Sequence, residues 1–136
     1  MSERKKIEIF EDLLVWQKGM EIVKKIYMIT REGDLNRDFG LRDQLRRAAL
    51  TIPTNIAEWF ERASSKEYVN FLNIAKGSAG EVRSLLRVAL EIGYLEPEKH
   101  HELNRDILEL SRYLYNHIKS LKESVAIIGK KGKGSS

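Results

Sequence analysis

The chain contains no cysteine and only two prolines, Pro53 and Pro97. Without thiols there can be no disulfide, no zinc–thiolate site and no cysteine nucleophile. Scarce proline leaves room for long helices, because an interior proline removes a donor and clashes with the preceding turn. No apolar run is long enough to span a bilayer, and Met1-Ser2-Glu3-Arg4-Lys5-Lys6 is not followed by a signal-type apolar stretch. The expectation is a cytoplasmic protein with no membrane partner. Basic residues exceed acidic ones by only four, and Lys130, Lys131 and Lys133 sit in an acid-free end. Without those three lysines, 21 basic residues face 20 acidic ones, so the body is nearly neutral and the excess is a tail.

The 136 residues are 42% hydrophobic and 32% charged, which suits one globular domain and not two. Apolar residues recur every three or four positions in four segments. In the first, from Glu11 to Arg31, Leu13, Trp16, Met20, Val23, Tyr27 and Thr30 share a face. Val15, Ile22, Ile26 and Ile29 form a second stripe beside it, and Gly33 supplies a stop. The second segment runs from Phe39 to Arg62 on Leu41, Leu45, Ala48, Ile52, Ile56 and Trp59. Pro53 lies inside it, predicting a kink rather than a break.

The third segment opens with the capping pattern Ser64-Ser65-Lys66-Glu67. It uses Tyr68, Phe71 or Leu72, Ala75, Ala79, Val82, Leu86 and Ala89, and ends at Gly93. Gly77 and Gly80 at mid-helix cost about 1 kcal/mol each relative to alanine, which close approach of a neighbouring helix would offset. The fourth begins near Pro97 and uses Leu103, Ile107, Leu110, Leu114, Ile118, Leu121 and Val125. Short connections between long helices predict an all-α, antiparallel up-down-up-down four-helix bundle over residues 1–128, with 129–136 a flexible basic tail.

The first helix is more apolar than one core face requires, with Leu14 and Met28 off the main stripe. Scattered exposed apolar residues are common. The sharper expectation is a second buried face, hence a homo-oligomer whose interface uses Ile22, Ile26 and Ile29 with small residues of the third helix.

Catalytic chemistry has little to stand on. A di-iron bundle needs a Glu-x-x-His motif on each of two helices; only Glu98 to His101 fits, and the residue three before His117 is Leu114. No serine has a plausible histidine–aspartate setting, and no glycine-rich phosphate loop is present. The reading is therefore no catalytic residue, no metal, no cofactor and no small-molecule substrate. Basic residues do cluster: Arg42, Arg46 and Arg47 on the second helix, and Lys76, Arg83 and Arg87 on one stripe of the third. With Lys130, Lys131 and Lys133 they are the candidates for RNA or DNA contact, against the ordinary reading of a solvated or internally paired face. Trp16, Pro53, Asn55, Glu58 and Trp59 are read as structural. Both tryptophans are expected to be largely buried, and the polar pair is expected to satisfy backbone groups freed by Pro53.

Phe10-Glu11-Asp12-Leu13 with Val15-Trp16-Gln17-Lys18, Gly40-Leu41 with Gln44-Leu45-Arg46-Arg47-Ala48-Ala49, Ile52-Pro53 with Asn55-Ile56-Ala57-Glu58, Phe71-Leu72 with Ile74-Ala75 and Gly77-Ser78, and Gly93-Tyr94-Leu95 occur in one order. In that combination the sequence resembles the 23S rRNA intervening-sequence protein family. The resemblance implies a four-helix bundle assembling as a homopentameric ring, with no established catalytic site. It leaves two functional expectations: a non-enzymatic scaffold associated with ribosomal RNA, or a nucleic-acid-binding accessory protein that partners the reverse transcriptase of a mobile element, as related bundles of diversity-generating retroelements do. One stretch departs from the family pattern: Trp59-Phe60-Glu61-Arg62 stands where Gly-x-Gly-Arg is usual.

Overall fold

A computed structural model describes residues 7–62 and 68–134, with backbone only from residue 124 onward. After a short 3-10 turn at Phe10–Asp12 come five helices: α1 Leu14–Ile29, α2 Gly33–Arg37, α3 Phe39–Glu61, α4 Tyr68–Glu91 and α5 Pro97–Gly134. The sequence reading has four. The extra one, α2, is a single turn and a half in a connection read as a loop, and five residues are too few to display a period. Its Leu35 is nevertheless buried in the core.

The four long helices neighbour one another in a closed cycle: α1 on α3, α3 on α4, α4 on α5, and α5 back on α1. This leaves α1 diagonal to α4. The centre is filled by Leu45, Ile52 and Ile56 of α3, Leu72, Val82 and Leu86 of α4, and Leu103, Ile107, Leu110 and Leu114 of α5, all fully buried. These are the faces the spacing predicts. Leu121 lies at the core margin, while Val125 and the Ser64–Glu67 cap lie outside the described side chains.

On α1 both expected stripes reach the core: Leu13, Val23 and Thr30 of the first are buried, and so is most of the second. Ile22 and Ile26 point into the monomer's own core at 1% and 0% exposure, with Val15 and Gly19 beside them. Trp16, Met20 and Tyr27 are only half-buried, and so is Ile29. Ile22 and Ile26 therefore cannot form a subunit interface. The cause is Gly19: a Cβ there would lie 3.3 Å from Ile52 Cγ2 and 3.6 Å from the Pro53 ring, so α1 meets α3 along the glycine stripe.

The helix ends follow local chemistry. Asp38 caps α3, accepting from the Leu41 amide at 3.1 Å. Gly93, at φ 84°, ends α4 in a Schellman arrangement: Tyr94 N–H donates to Ala89 O at 2.8 Å and Gly93 N–H to Leu90 O at 3.1 Å. Gly33 also takes a left-handed φ, 68°, at the end of the α1 connection. α3 continues through Pro53. Around it Thr51 Oγ1 donates to Arg47 O, Thr54 Oγ1 to Leu50 O, and Asn55 Nδ2 to Thr51 O, at 2.8–2.9 Å. Asn55 thus binds its own preceding turn rather than the Ala49 carbonyl that Pro53 leaves without a donor. Glu58 is exposed and pairs with Arg62 at 3.0 Å. The backbone of α5 carries on past Gly129, where the sequence reading starts a tail; glycine weakens a helix without forbidding it.

Candidate functional site

Arginines of the second-helix cluster divide between framework and surface. Arg46 Nε donates to Thr30 Oγ1 at 2.8 Å, and its guanidinium stacks 4.6 Å from the centre of Tyr27. Thr30 is itself buried and donates to Ile26 O at 2.7 Å, so this arginine ties α3 to the end of α1. Arg42 stacks on Phe39, pairs with Asp43 at 3.0 Å and donates to Asn36 O at 3.0 Å, pinning α2 to α3. Arg42 and Arg46 are thereby occupied inside the bundle, whereas Arg47 is exposed.

Lys76, Arg83 and Arg87 are all exposed on α4. Arg83 Nε donates to the neutral amide oxygen of Asn104 on α5 at 3.0 Å, and Arg87 pairs with Glu91 at 2.7 Å. Beside them runs a groove of about 400 Å³ between α4 and α5, to which Arg83 and Arg87 contribute together with His100 and Asn104. Sequence spacing finds the α4 stripe; it misses His100 and Asn104, which join only through the α4–α5 packing. Lys130, Lys131 and Lys133 lie beyond the described side chains.

The close approach expected at the α4 glycines is absent: a Cβ added at Gly77 or Gly80 would meet nothing within 4 Å. Both are exposed, while Ser78 and Ala79 between them are buried.

Trp16 and Trp59 are partly buried and pack against the core. Trp16 packs on Phe10 at 5.3 Å between ring centres, at the edge of the bundle. Trp59 lies against Phe60 and, 5.8 Å away, the edge of His117; its indole Nε1 is buried without a partner. Loss of water around His117 lowers its pKa from the ordinary 6.5. The ring, still exposed on its outer side, takes up a proton less readily folded than unfolded, so the associated stability is complete above 6.5 and lost as pH falls toward the lower folded value. Urea midpoints measured across this window are expected to fall with pH, and less so in His117→Gln.

The α1–α5 seam is polar. Lys25 pairs with Glu102 at 3.3 Å and with Asp106 at 2.5 Å, and Lys18 with Glu109 at 2.8 Å. Hydrogen bonding to Asp106 raises the Lys25 pKa, and bonding to Glu109 raises that of Lys18. Among the described residues no group of three or more potential ligands is placed to hold a metal ion, and no helix is long and apolar enough to cross a membrane.

The model of the 23S rRNA-intervening sequence protein family matches residues 11–116, the greater part of the sequence. The chain belongs to that family. A solved relative of this intervening-sequence protein is a protein of unknown function from the S23 ribosomal protein family of Bacteroides thetaiotaomicron, whose crystal structure was determined at 1.70 Å. The two are 27% identical, with a TM-score of 0.71 over 78% of this chain and 99% of the other. No curated protein matches the sequence. The family is described by the location of its genes, and neither match names an enzyme.

Proposed function

We propose that this intervening-sequence protein is a non-enzymatic scaffold that assembles with copies of itself into a ring of antiparallel up-down bundles. The observation that carries this reading is a pair of apolar patches left uncovered on different helices of the bundle. Ile74 and Val88 on α4, and Ile92 just past its end, are 44–51% exposed and lie on one side with the bare Gly77. Across the α1–α3 side, Met28 and Leu50 border a shallow groove with Val23 and Tyr27, flanked by Lys24 and Arg31. Two distinct patches on different helices suit heterologous, head-to-tail contacts, which close into rings when the rotation permits. Family resemblance favours five subunits; the physics of the patches specifies no count.

Light scattering at micromolar concentration is expected to give a multiple of the chain mass. Ile74→Asp combined with Val88→Asp is expected to shift it toward the monomer while helicity is retained, because both side chains already face water in one chain. A monomeric parent would overturn the reading.

A further inference from the structure

We propose that the groove between α4 and α5 binds a phosphate group, as an inorganic or small-molecule phosphate or as part of a nucleic-acid backbone. Gly80, Arg83, Ser84 and Arg87 recur at one-turn spacing along the α4 wall, and His100 and Asn104 stand one turn apart on α5. The lining thus offers two guanidinium groups, an imidazole, a hydroxyl and an amide, and no carboxylate. Arg83 is held by a neutral partner: Asn104 accepts its Nε–H at 3.0 Å, which fixes the guanidinium without cancelling its charge and leaves its remaining N–H groups for an anion. Arg87 is paired with Glu91, but both side chains are more than 60% exposed, so that pair competes weakly with a phosphate oxygen.

Gly80 is the second, independent sign. A glycine inside a helix is unfavourable, and nothing among the described residues packs where its Cβ would be, so their packing gives no reason for it. Bare backbone beside two arginines is the arrangement that lets a ligand come close to a helix surface.

Both walls belong to a single chain, but Val88 borders both the groove and the assembly patch, so the solution mass of every variant is measured beside its affinity to separate the two. The test is calorimetric titration of the full-length protein at about 50 mM salt, where electrostatic binding is strongest. One arm uses inorganic phosphate and the other a short single-stranded oligoribonucleotide. Saturable binding of either that weakens about tenfold in Arg83→Ala/Arg87→Ala, for loss of charge-assisted bonds, and equally in Ser84→Asp, is the expected result. Tighter binding of the oligonucleotide identifies a backbone as the source, and comparable or tighter binding of free phosphate a small molecule. Gly80→Ala is expected to raise the melting temperature yet weaken the ligand, whereas Gly40→Ala, on α3 and away from both the groove and the assembly patch, leaves the ligand unaffected. Absence of binding in both arms, or parent-like affinity in the folded groove variants, would overturn the assignment.

Discussion

Replacing Ile26 by alanine is expected to lower the unfolding free energy by about 2–5 kcal/mol, the range for emptying a close-packed aliphatic site. Ile26 has no exposed surface in the isolated chain, and its carbonyl anchors the Thr30 hydroxyl that in turn holds Arg46. The void would therefore sit beneath a tie between α1 and α3 that resists collapse. The measurement is a denaturant titration at several protein concentrations. A lower midpoint with unchanged slope, independent of concentration, places the loss within the bundle. An unaltered midpoint with a reduced assembly mass would return Ile26 to the subunit interface that sequence pattern alone suggests.

Gly19→Leu is expected to be comparably damaging for the opposite reason. The glycine lies where α1 crosses α3, and even a single carbon there would stand 3.3 Å from Ile52 Cγ2. A branched side chain must displace Ile52 or separate the helices, and overpacking of this kind costs about 1–3 kcal/mol or more. Gly19→Ala is the informative companion. Its helix-propensity gain of about 1 kcal/mol opposes a contact that relaxes within a few tenths of an ångström, so a near-neutral result is expected. Thermal or urea unfolding of the pair reads both effects. A leucine variant as stable as its parent would mean that this crossing is loosely packed.

That glycine also explains where periodicity succeeds and where it fails. On α3, α4 and α5 the apolar positions stand out from polar neighbours, so Leu45, Ile52, Leu86 and Leu110 are assigned correctly from spacing. On α1 most positions are apolar, and two adjacent stripes fit the period equally well. Side-chain size favours the stripe with Trp16 and Tyr27, but packing favours the one that lets two backbones meet, and Gly19 belongs to the latter. At Gly77 and Gly80 the same logic misleads in reverse, because a small residue announces room without saying on which side a neighbour stands. Leu35 and Leu95 are buried from within connections, where no period exists to reveal them. The α4 basic stripe is legible because its members share one helix. Its partners His100 and Asn104 are not, because tertiary packing alone brings them near. Arg46 reads as a surface charge until Tyr27 and Thr30 are placed beneath it.

The lysine–carboxylate ladder between α1 and α5 joins the first long helix to the last, across sequence separations of 77 to 91 residues. A seam that closes so large a loop through partly solvated charges has the highest entropy of closure and the least apolar reward among the four. Opening there parts α1 from α5 while Leu103, Ile107, Leu110 and Leu114 hold α5 in the core, so the seam has a lower opening free energy than the whole bundle in native-state hydrogen exchange. Amides of α3 report global unfolding, while those along the α1–α5 seam exchange through a smaller opening whose free energy falls as salt screens Lys18 and Lys25. Ionic strength is thus a dial on one seam of the bundle and leaves the opposite face of α5, a wall of the phosphate groove, in place.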